Sequence, residues 1–583
     1  MMARIARCLH LLIVVIFTTM NFSQKYSVAF FTFEQETDIT DFISNVMGCR
    51  DNPGLTLAVV KNGEMWTKGF GLANLDTNRH VTISTLFGIG SLTKAFTAVL
   101  LGNILRDTNY TFETRLVDIP GVDVNFMNSS MTEVATLADL LDHGMGLSSI
   151  TDYGFIAGYP PQADRKFITG KTKYVPEMQT PRTTMLYSNM MYMVLGHVIE
   201  VLGGDTWENL MSIRVFKPLR MTSARIIKAP EDVLREDVAN PYILKDGQFF
   251  NSDPGVYVMA PLEPAGCVFA TGPDMALWMD FMLNNGTTSE GVTLLREEDL
   301  LAIRQKHINL SLSTTLLNLV PPRFPVTDER DGYGFAWFTG HYRGHKRVSH
   351  SGGYFSYISL EWLFPDEKFG VFASVNGPGL PSVSSQGLQA ILSYVTDLAL
   401  DIAPWLNLTT GCTFPAPWRK PFSFHIDPPE ILTNDNIEDF TGMYGNALLP
   451  DITIHVNTSH DKRQILWLEM NKLQGELFPT TSNDSFTFKM VLPWEYAIER
   501  VLNENFTIQY PTDFFRDPIK GQVLGFNITL SGKNDVMTYR KCARFLNENA
   551  CEETPDPISG CDCSTKCCFW FVLRSVLVAL LMF

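Results

Sequence analysis

The sequence predicts an α+β domain followed by a small all-β, barrel-like domain. Three observations carry this reading. Between residues 39 and 402, strand-like runs alternate with helical ones. Prolines 404, 415, 417, 421, 428 and 429 then punctuate a linker over 403–435. From 436 to 546, short alternating runs such as 451–456 and 465–470 recur, as in a small barrel or sandwich. A length of 583 residues agrees with more than one folded unit, and 45% hydrophobic residues supply a core, which excludes wholesale disorder.

In chain order, the first expected element is a hairpin. Runs 55–60 and 65–70 flank Lys61-Asn62-Gly63-Glu64, and Asn-Gly is a strong two-residue turn signal. Residues 91–105 then place Leu92, Phe96, Val99, Leu100, Leu101, Ile104 and Leu105 almost all round a helix, the pattern of one buried in a large domain. A second hairpin joins 356–364 to 369–376 through Pro365-Asp366-Glu367-Lys368, and its two runs are rich in β-favouring residues. No internal period of about 20–50 residues recurs, which excludes a repeat architecture.

The ends carry addressing signals. Arg4 and Arg7 precede the apolar run 11–17, and Thr18, Thr19 and Ser23 follow, so 1–23 reads as a secretory signal. N-x-S/T sequons begin at Asn21, Asn109, Asn128, Asn285, Asn309, Asn407, Asn457, Asn483, Asn505 and Asn527. Ten of them exceed the roughly three or four that composition alone would supply, and point to a glycosylated extracellular surface. Cys49, Cys267, Cys412, Cys542 and Cys551 are scattered, while Cys561, Cys563, Cys567 and Cys568 crowd the C-terminus. Their spacing does not suit zinc, so disulfides are expected, with connectivity left open. The segment 547–583 ends in an apolar tail broken by Arg574, and Ser559-Gly560 resembles an attachment site for a glycolipid anchor. Secretion, with a tether to the outer face of the plasma membrane as one form of it, is the expected localisation. A net charge of −16 without a basic stripe excludes nucleic acid as a partner. No metal or cofactor is implied.

Three short words carry chemistry. In Phe87-Gly88-Ile89-Gly90-Ser91-Leu92-Thr93-Lys94, Ser91 and Lys94 share one helical face. A desolvated lysine can lose its charge and accept the proton of a neighbouring hydroxyl. In Tyr187-Ser188-Asn189, the tyrosine could act as a base if a cation favoured its phenolate, and the asparagine could bond both lysine and substrate amide. His350-Ser351-Gly352-Gly353 stands directly before the expected strand 356–364, where backbone N–H groups could meet an oxyanion and His350 could add a polar or cationic group. Two decoys repeat the spacings: Ser459/Lys462 and Tyr444/Asn446.

Taken together and in this order, the words resemble the S-x-x-K, Y-x-N and K-T-G motifs of the serine beta-lactamase and penicillin-binding-protein superfamily, in its class C-related branch with animal beta-lactamase-like proteins. Accessory words agree: Pro53-Gly54-Leu55, Leu140-Leu141-Asp142-His143, Val215-Phe216-Lys217-Pro218-Leu219 and Pro264-Ala265-Gly266. The resemblance covers residues 39–402 and implies an antiparallel sheet flanked by helices, with a helical subdomain. The β-rich region resembles the lipocalin-like domain that follows some members. The resemblance further implies acyl transfer, with Ser91 as nucleophile and Lys94 and Tyr187 sharing the proton. Ser91 and Gly353 would supply oxyanion N–H groups, and Asn189, His350, Ser351 and Gly352 would line the substrate.

Two departures matter. His350 replaces the lysine of K-T-G, and His143-Gly144-Met145-Gly146 replaces the usual His-Thr-Ser-Gly. The expected function is a serine hydrolase acting on an amide or ester, with a small molecule or peptide as substrate. The alternative is an inactive glycoprotein that serves in the extracellular matrix or as a binding surface.

Overall fold

A computed structural model describes residues 30–547 apart from 246, 380, 420–436, 460–461, 481, 492–509 and 531–535, with the backbone alone at 381–383. The signal segment, residues 420–435 of the linker, the Asn505 sequon and the cysteine-rich tail beyond 547 lie outside the described residues.

Thr32 starts the first helix, α1 (Phe33–Cys49), with a reciprocal cap. Its hydroxyl accepts from the Gln35 amide at 3.1 Å, and Gln35 Oε1 accepts from its own N–H at 2.9 Å. Next, β1 (Gly54–Lys61) pairs with β2 (Glu64–Asn74) in a register that sets Lys61 opposite Glu64. Asn62 and Gly63 form the turn with φ of +53° and +81°, the paired positive values that match strand twist. The expected hairpin is therefore present, closed by the residues that predict it.

The sheet is built around β1. A short β3 (Arg79–His80) follows, and the helices that then intervene include α2 (Thr93–Leu105), α3 (Thr151–Ala157), α4 (Asn189–Gly203) and α5 (Gly272–Leu283). Five strands complete it: β4 (Asp328–Tyr333), β5 (Phe338–Tyr342), β6 (His345–Tyr354), β7 (Tyr357–Phe364) and β8 (Phe369–Val375). The order is β3-β2-β1-β8-β7-β6-β5-β4, antiparallel throughout. The β7–β8 hairpin has the expected four-residue connection, with Phe364 opposite Phe369. A long helix, α6 (Pro381–Ala399), returns to cover the sheet, and a short one, α7 (Leu408–Thr413), follows it.

Period-two alternation sorts the core into two layers. Ala58 and Val60 of β1 face α2, α4 and α5, whereas Leu55, Leu57 and Val59 face α1 and α6. A Cys49–Cys412 disulfide ties the end of α1 to the chain after α6. Four strands of this sheet lie outside the two expected hairpins: β3, β4, β5 and β6. His350–Gly353 therefore lie inside a strand of their own, paired with Glu361 to Ile358 of β7, and not in a connection leading to it.

Eight more strands form the second domain: β9 (Gly442–Tyr444), β10 (Ile452–Thr458), β11 (Gln464–Met470), β12 (Leu473–Pro479), β13 (Ser485–Met490), β14 (Tyr510–Arg516), β15 (Val523–Thr529) and β16 (Val536–Arg540). They pair strictly with their sequence neighbours. Gly445 and Arg540 exchange backbone hydrogen bonds of 2.9 and 3.0 Å, which nearly closes the meander into an eight-stranded antiparallel barrel. Phe440, Tyr444, Phe514 and Phe526 fill its interior with ring contacts of 4.8–6.1 Å.

The barrel rests on α3. Tyr153 Oη donates to Leu530 O at 2.8 Å, the Lys472 amide donates to Ala157 O at 3.0 Å, and Asn471 Nδ2 bonds Gly158 O. Lys472 Nζ also donates to the carbonyls of Gly255 and Val258, at 3.1 and 2.7 Å. Sequons at Asn109, Asn128, Asn285, Asn309, Asn407, Asn457 and Asn483 stand on exposed residues, and Asn527 is half-buried on β15.

Candidate active site

Ser91 sits in a single 3₁₀ turn, Gly90–Leu92, that feeds α2. Every residue of α2 is buried, so the apolar run places the helix in the core and leaves only its N-terminal end at the cleft. Gly90 has φ +52°, and a Cβ there would stand 2.7 Å from the amide nitrogen of Gly353. Gly352 is equally constrained, because its Cβ would meet Ile89 O at 1.9 Å. These glycines let the Ser91 turn and β6 pack backbone against backbone.

One turn into the helix, Lys94 is fully buried and its ammonium has three neighbours. Nζ donates to Ser91 Oγ at 3.1 Å, to Asn189 Oδ1 at 2.7 Å and to Ala265 O at 2.8 Å. Burial lowers its pKa to about 7, opposed by the nearby Asp152 carboxylate. Ala265 belongs to the Pro264-Ala265-Gly266 word, which is bound to α2 a second time by Thr97 Oγ1 donating to Pro264 O at 2.7 Å.

Tyr187 also lies here, its ring centroid 4.8 Å from Lys94 Nζ. Burial raises its pKa far above the ordinary value, and the hydrogen bond with Ser91 only partly offsets this. The residue is therefore a phenol near neutral pH, not the phenolate that a base would need. His143, at φ +59°, packs its ring 4.2 Å from that of Tyr187 and accepts from the Ser188 amide at 3.2 Å through Nδ1.

Of the two roles expected of His350, polar or cationic, the structure favours the polar one. Its Nδ1 lies 2.6 Å from Ser351 O, which can only accept, so Nδ1 carries the proton and Nε2 accepts from Tyr333 Oη at 3.0 Å. Burial, then the charge of Lys94, lowers its pKa to about 3. The imidazole is neutral and supplies no cation. Ser351 is buried beside it, and its Oγ has no hydrogen-bond partner among the described residues.

Asn189 begins α4 and splits its amide. Oδ1 takes the lysine, and Nδ2 donates to Asp152 Oδ1 at 3.2 Å. The groups behind these side chains carry little signal in the sequence: Asp152 and Tyr333 fit no motif spacing, whereas Ala265 lies in the Pro264-Ala265-Gly266 word and Cys267 directly follows it. A separate cleft elsewhere is lined by Tyr159, Arg165, His197 and Glu263, and Arg165 there is consumed by ion pairs to Glu200, Glu208 and Glu263. Among the described residues, no group of His, Cys, Asp and Glu is placed to hold a metal ion.

The three words thus surround one hydroxyl inside an antiparallel sheet flanked by helices, and a family model described as Beta-lactamase matches residues 39–395. The chain belongs to the beta-lactamase family. An unguisins hydrolase of Aspergillus campestris is 28% identical over 381 residues, covering 63% of this chain and 66% of its own. A second, from Aspergillus violaceofuscus, is 25% identical over 335 residues, covering 56% and 58%. Penicillin-binding protein 4 of Amycolatopsis lactamdurans is 27% identical over 314 residues, covering 53% and 77%. The chain spans less than two thirds of the length of the two unguisins hydrolases. Among solved structures, the octameric penicillin-binding protein homologue from Pyrococcus abyssi aligns with a TM-score of 0.53 at 19% identity, over 87% of this chain and all of that one. A D-amino acid amidase from Ochrobactrum anthropi aligns at 0.51 and 16%, over 63% and 99%. These two share the beta-lactamase fold. Two of these relatives are named as hydrolases.

Proposed function

We propose that the protein is a secreted, glycosylated serine hydrolase that forms an acyl-enzyme on Ser91 with small or peptide amides and esters. The supporting observation is the environment of Lys94 Nζ. Asn189 Oδ1 faces it as an acceptor, and Ala265 O can only accept. A neutral amine has two N–H bonds, and both are claimed by these oxygens. Its lone pair is then left facing Ser91 Oγ, 3.1 Å away. A pKa near 7 makes that neutral form available at physiological pH.

Attack transfers the Ser91 proton to Lys94 while the Oγ–C bond forms, and the carbonyl oxygen becomes an oxyanion. The amides of Ser91 and Gly353, brought together by the Gly90 contact, are the donors for it. Tyr187, a phenol beside Ser91, relays the proton to the leaving amine or alkoxide as the C–N or C–O bond breaks. Water then attacks the acyl carbon of the ester, the C–Oγ bond breaks, one water proton returns to Ser91 Oγ and the carboxylic acid leaves. The neutral His350–Tyr333 pair shapes the wall without charging it, which favours substrates that need no cation at this position.

A serine-reactive fluorophosphonate probe tests the reading. It is expected to label the wild type at Ser91 and to fail with Ser91→Ala. Labelling that survives the substitution, or none in either protein, overturns it and leaves the inactive matrix or binding glycoprotein. Secretion and N-glycosylation are tested by recovery of a glycosidase-sensitive product from the culture medium. Phospholipase release from cells tests the C-terminal tether.

A further inference from the structure

Behind Asn189 lies a carboxylate that the acyl-transfer scheme does not use. Asp152, on α3, is buried; its Oδ1 accepts from Asn189 Nδ2 at 3.2 Å, and its Oδ2 has no hydrogen-bond partner among the described residues. An amide side chain fits a pocket equally well in two orientations, exchanging oxygen for nitrogen. A carboxylate can only accept, so it turns the Asn189 NH₂ toward itself and leaves Oδ1 for Lys94.

The remaining titratable groups around Lys94 do not supply a counter-charge. Tyr187 and Tyr192 lie with rings 4.8 and 5.5 Å from Nζ, and burial pushes both phenols, and the Cys267 thiol, upward. His143 and His350 are held neutral by the same burial. Tyr159, the other phenol that feels Asp152, is also pushed up. Asp152 is itself pushed up to about 7 by burial, so it and the lysine compete for protons in one pH range.

We propose that Asp152 is a positioning residue for the Ser91–Lys94 pair: it sets the Asn189 amide orientation, and its carboxylate charge offsets part of the desolvation of the Lys94 ammonium. This rests on the hydrolase reading for its purpose but not for its test. In full-length protein carrying ¹³C-labelled lysine, the ¹³Cε resonance of Lys94 is assigned by its loss in Lys94→Met and titrated against pH. Asp152→Asn, which keeps the shape and removes the charge, is expected to lower the Lys94 midpoint by about one pH unit. Asp152→Glu is expected to keep it near the wild-type value. An unchanged midpoint in Asp152→Asn overturns the proposal whether or not the protein is an enzyme.

The kinetic counterpart is the rate of probe labelling at Ser91. Its acid limb is expected to move down with the lysine midpoint, while the probe concentration at half-maximal rate stays unchanged. A loss of labelled fraction with no shift in the limb marks a merely structural role and overturns the proposal. Absence of labelling in the wild type defeats the hydrolase reading alone, because the resonance still decides the role of Asp152.

Discussion

The same four-residue spacing occurs twice in this chain, with opposite outcomes. Ser91 and Lys94 meet at the buried end of α2, where the lysine is fully desolvated and its three donors are matched. Ser459 and Lys462 close the β10–β11 hairpin instead. Ser459 Oγ accepts from the Arg463 amide and donates to Arg463 O, both at 3.1 Å, and Lys462 is exposed with φ +67°. Tyr187/Asn189 and Tyr444/Asn446 are both buried and divide instead by their partners. Tyr444 Oη donates to Phe440 O at 2.7 Å, and Asn446 ties a loop to Thr538 O at 2.8 Å. A lysine in water keeps its proton near neutrality and cannot serve as a base. What separates chemistry from a turn is desolvation plus convergent partners, and the motif alone specifies neither.

The sharpest way to break this contrast is at the two serines. Ser91→Ala is expected to lower any hydrolytic rate, or probe labelling, by at least about 10³-fold, read on purified full-length protein. Ser459→Ala is expected to leave both unchanged. Next in size are substitutions at the lysines. Lys94→Met should cost about 10²–10⁴-fold, and Lys94→Arg should not rescue, because a guanidinium does not give up its proton. Lys462→Met should have no effect on the same assay.

A pH profile sharpens the comparison further. Lys94 must lose its proton to act, so the labelling rate should rise with pH through about 7 and level off above it. A rate governed by an ordinary exposed lysine would still be climbing near pH 10. The smallest effect concerns stability. Glu361 on β7 is fully buried, neither of its oxygens has a well-formed hydrogen bond among the described residues, and burial, only partly offset by the neighbouring Trp278, raises its pKa to about 8. The folded state therefore binds this proton more tightly than the unfolded chain does. Its contribution is fully present below the ordinary carboxylate range and is lost as pH rises through about 8. Glu361→Gln is expected to match the wild-type melting temperature at low pH and to exceed it at pH 8 and above.

Much of the architecture was legible because it rests on local signals. Asn62-Gly63 sets a turn by its backbone freedom, and the unbroken apolar character of 91–105 sets a buried helix. The strands β4 to β6 were harder to see. Gly332, Gly340, Gly344, Gly352 and Gly353 interrupt their β-favouring residues, and the burial that stabilises them comes from neighbours far away in sequence.

The order of residues by itself determined which side chains are chemically able to act: a hydroxyl and an amine one helical turn apart, a phenol, an amide, and glycines that permit close backbone contact. Tertiary structure alone decided their protonation and partners. It made His350 neutral, kept Tyr187 a phenol, turned one end of Asn189 toward Asp152 and brought Lys94 near pH 7. The reason is that charge states follow desolvation and the field of neighbouring groups, and those depend on residues that only folding brings within a few ångströms.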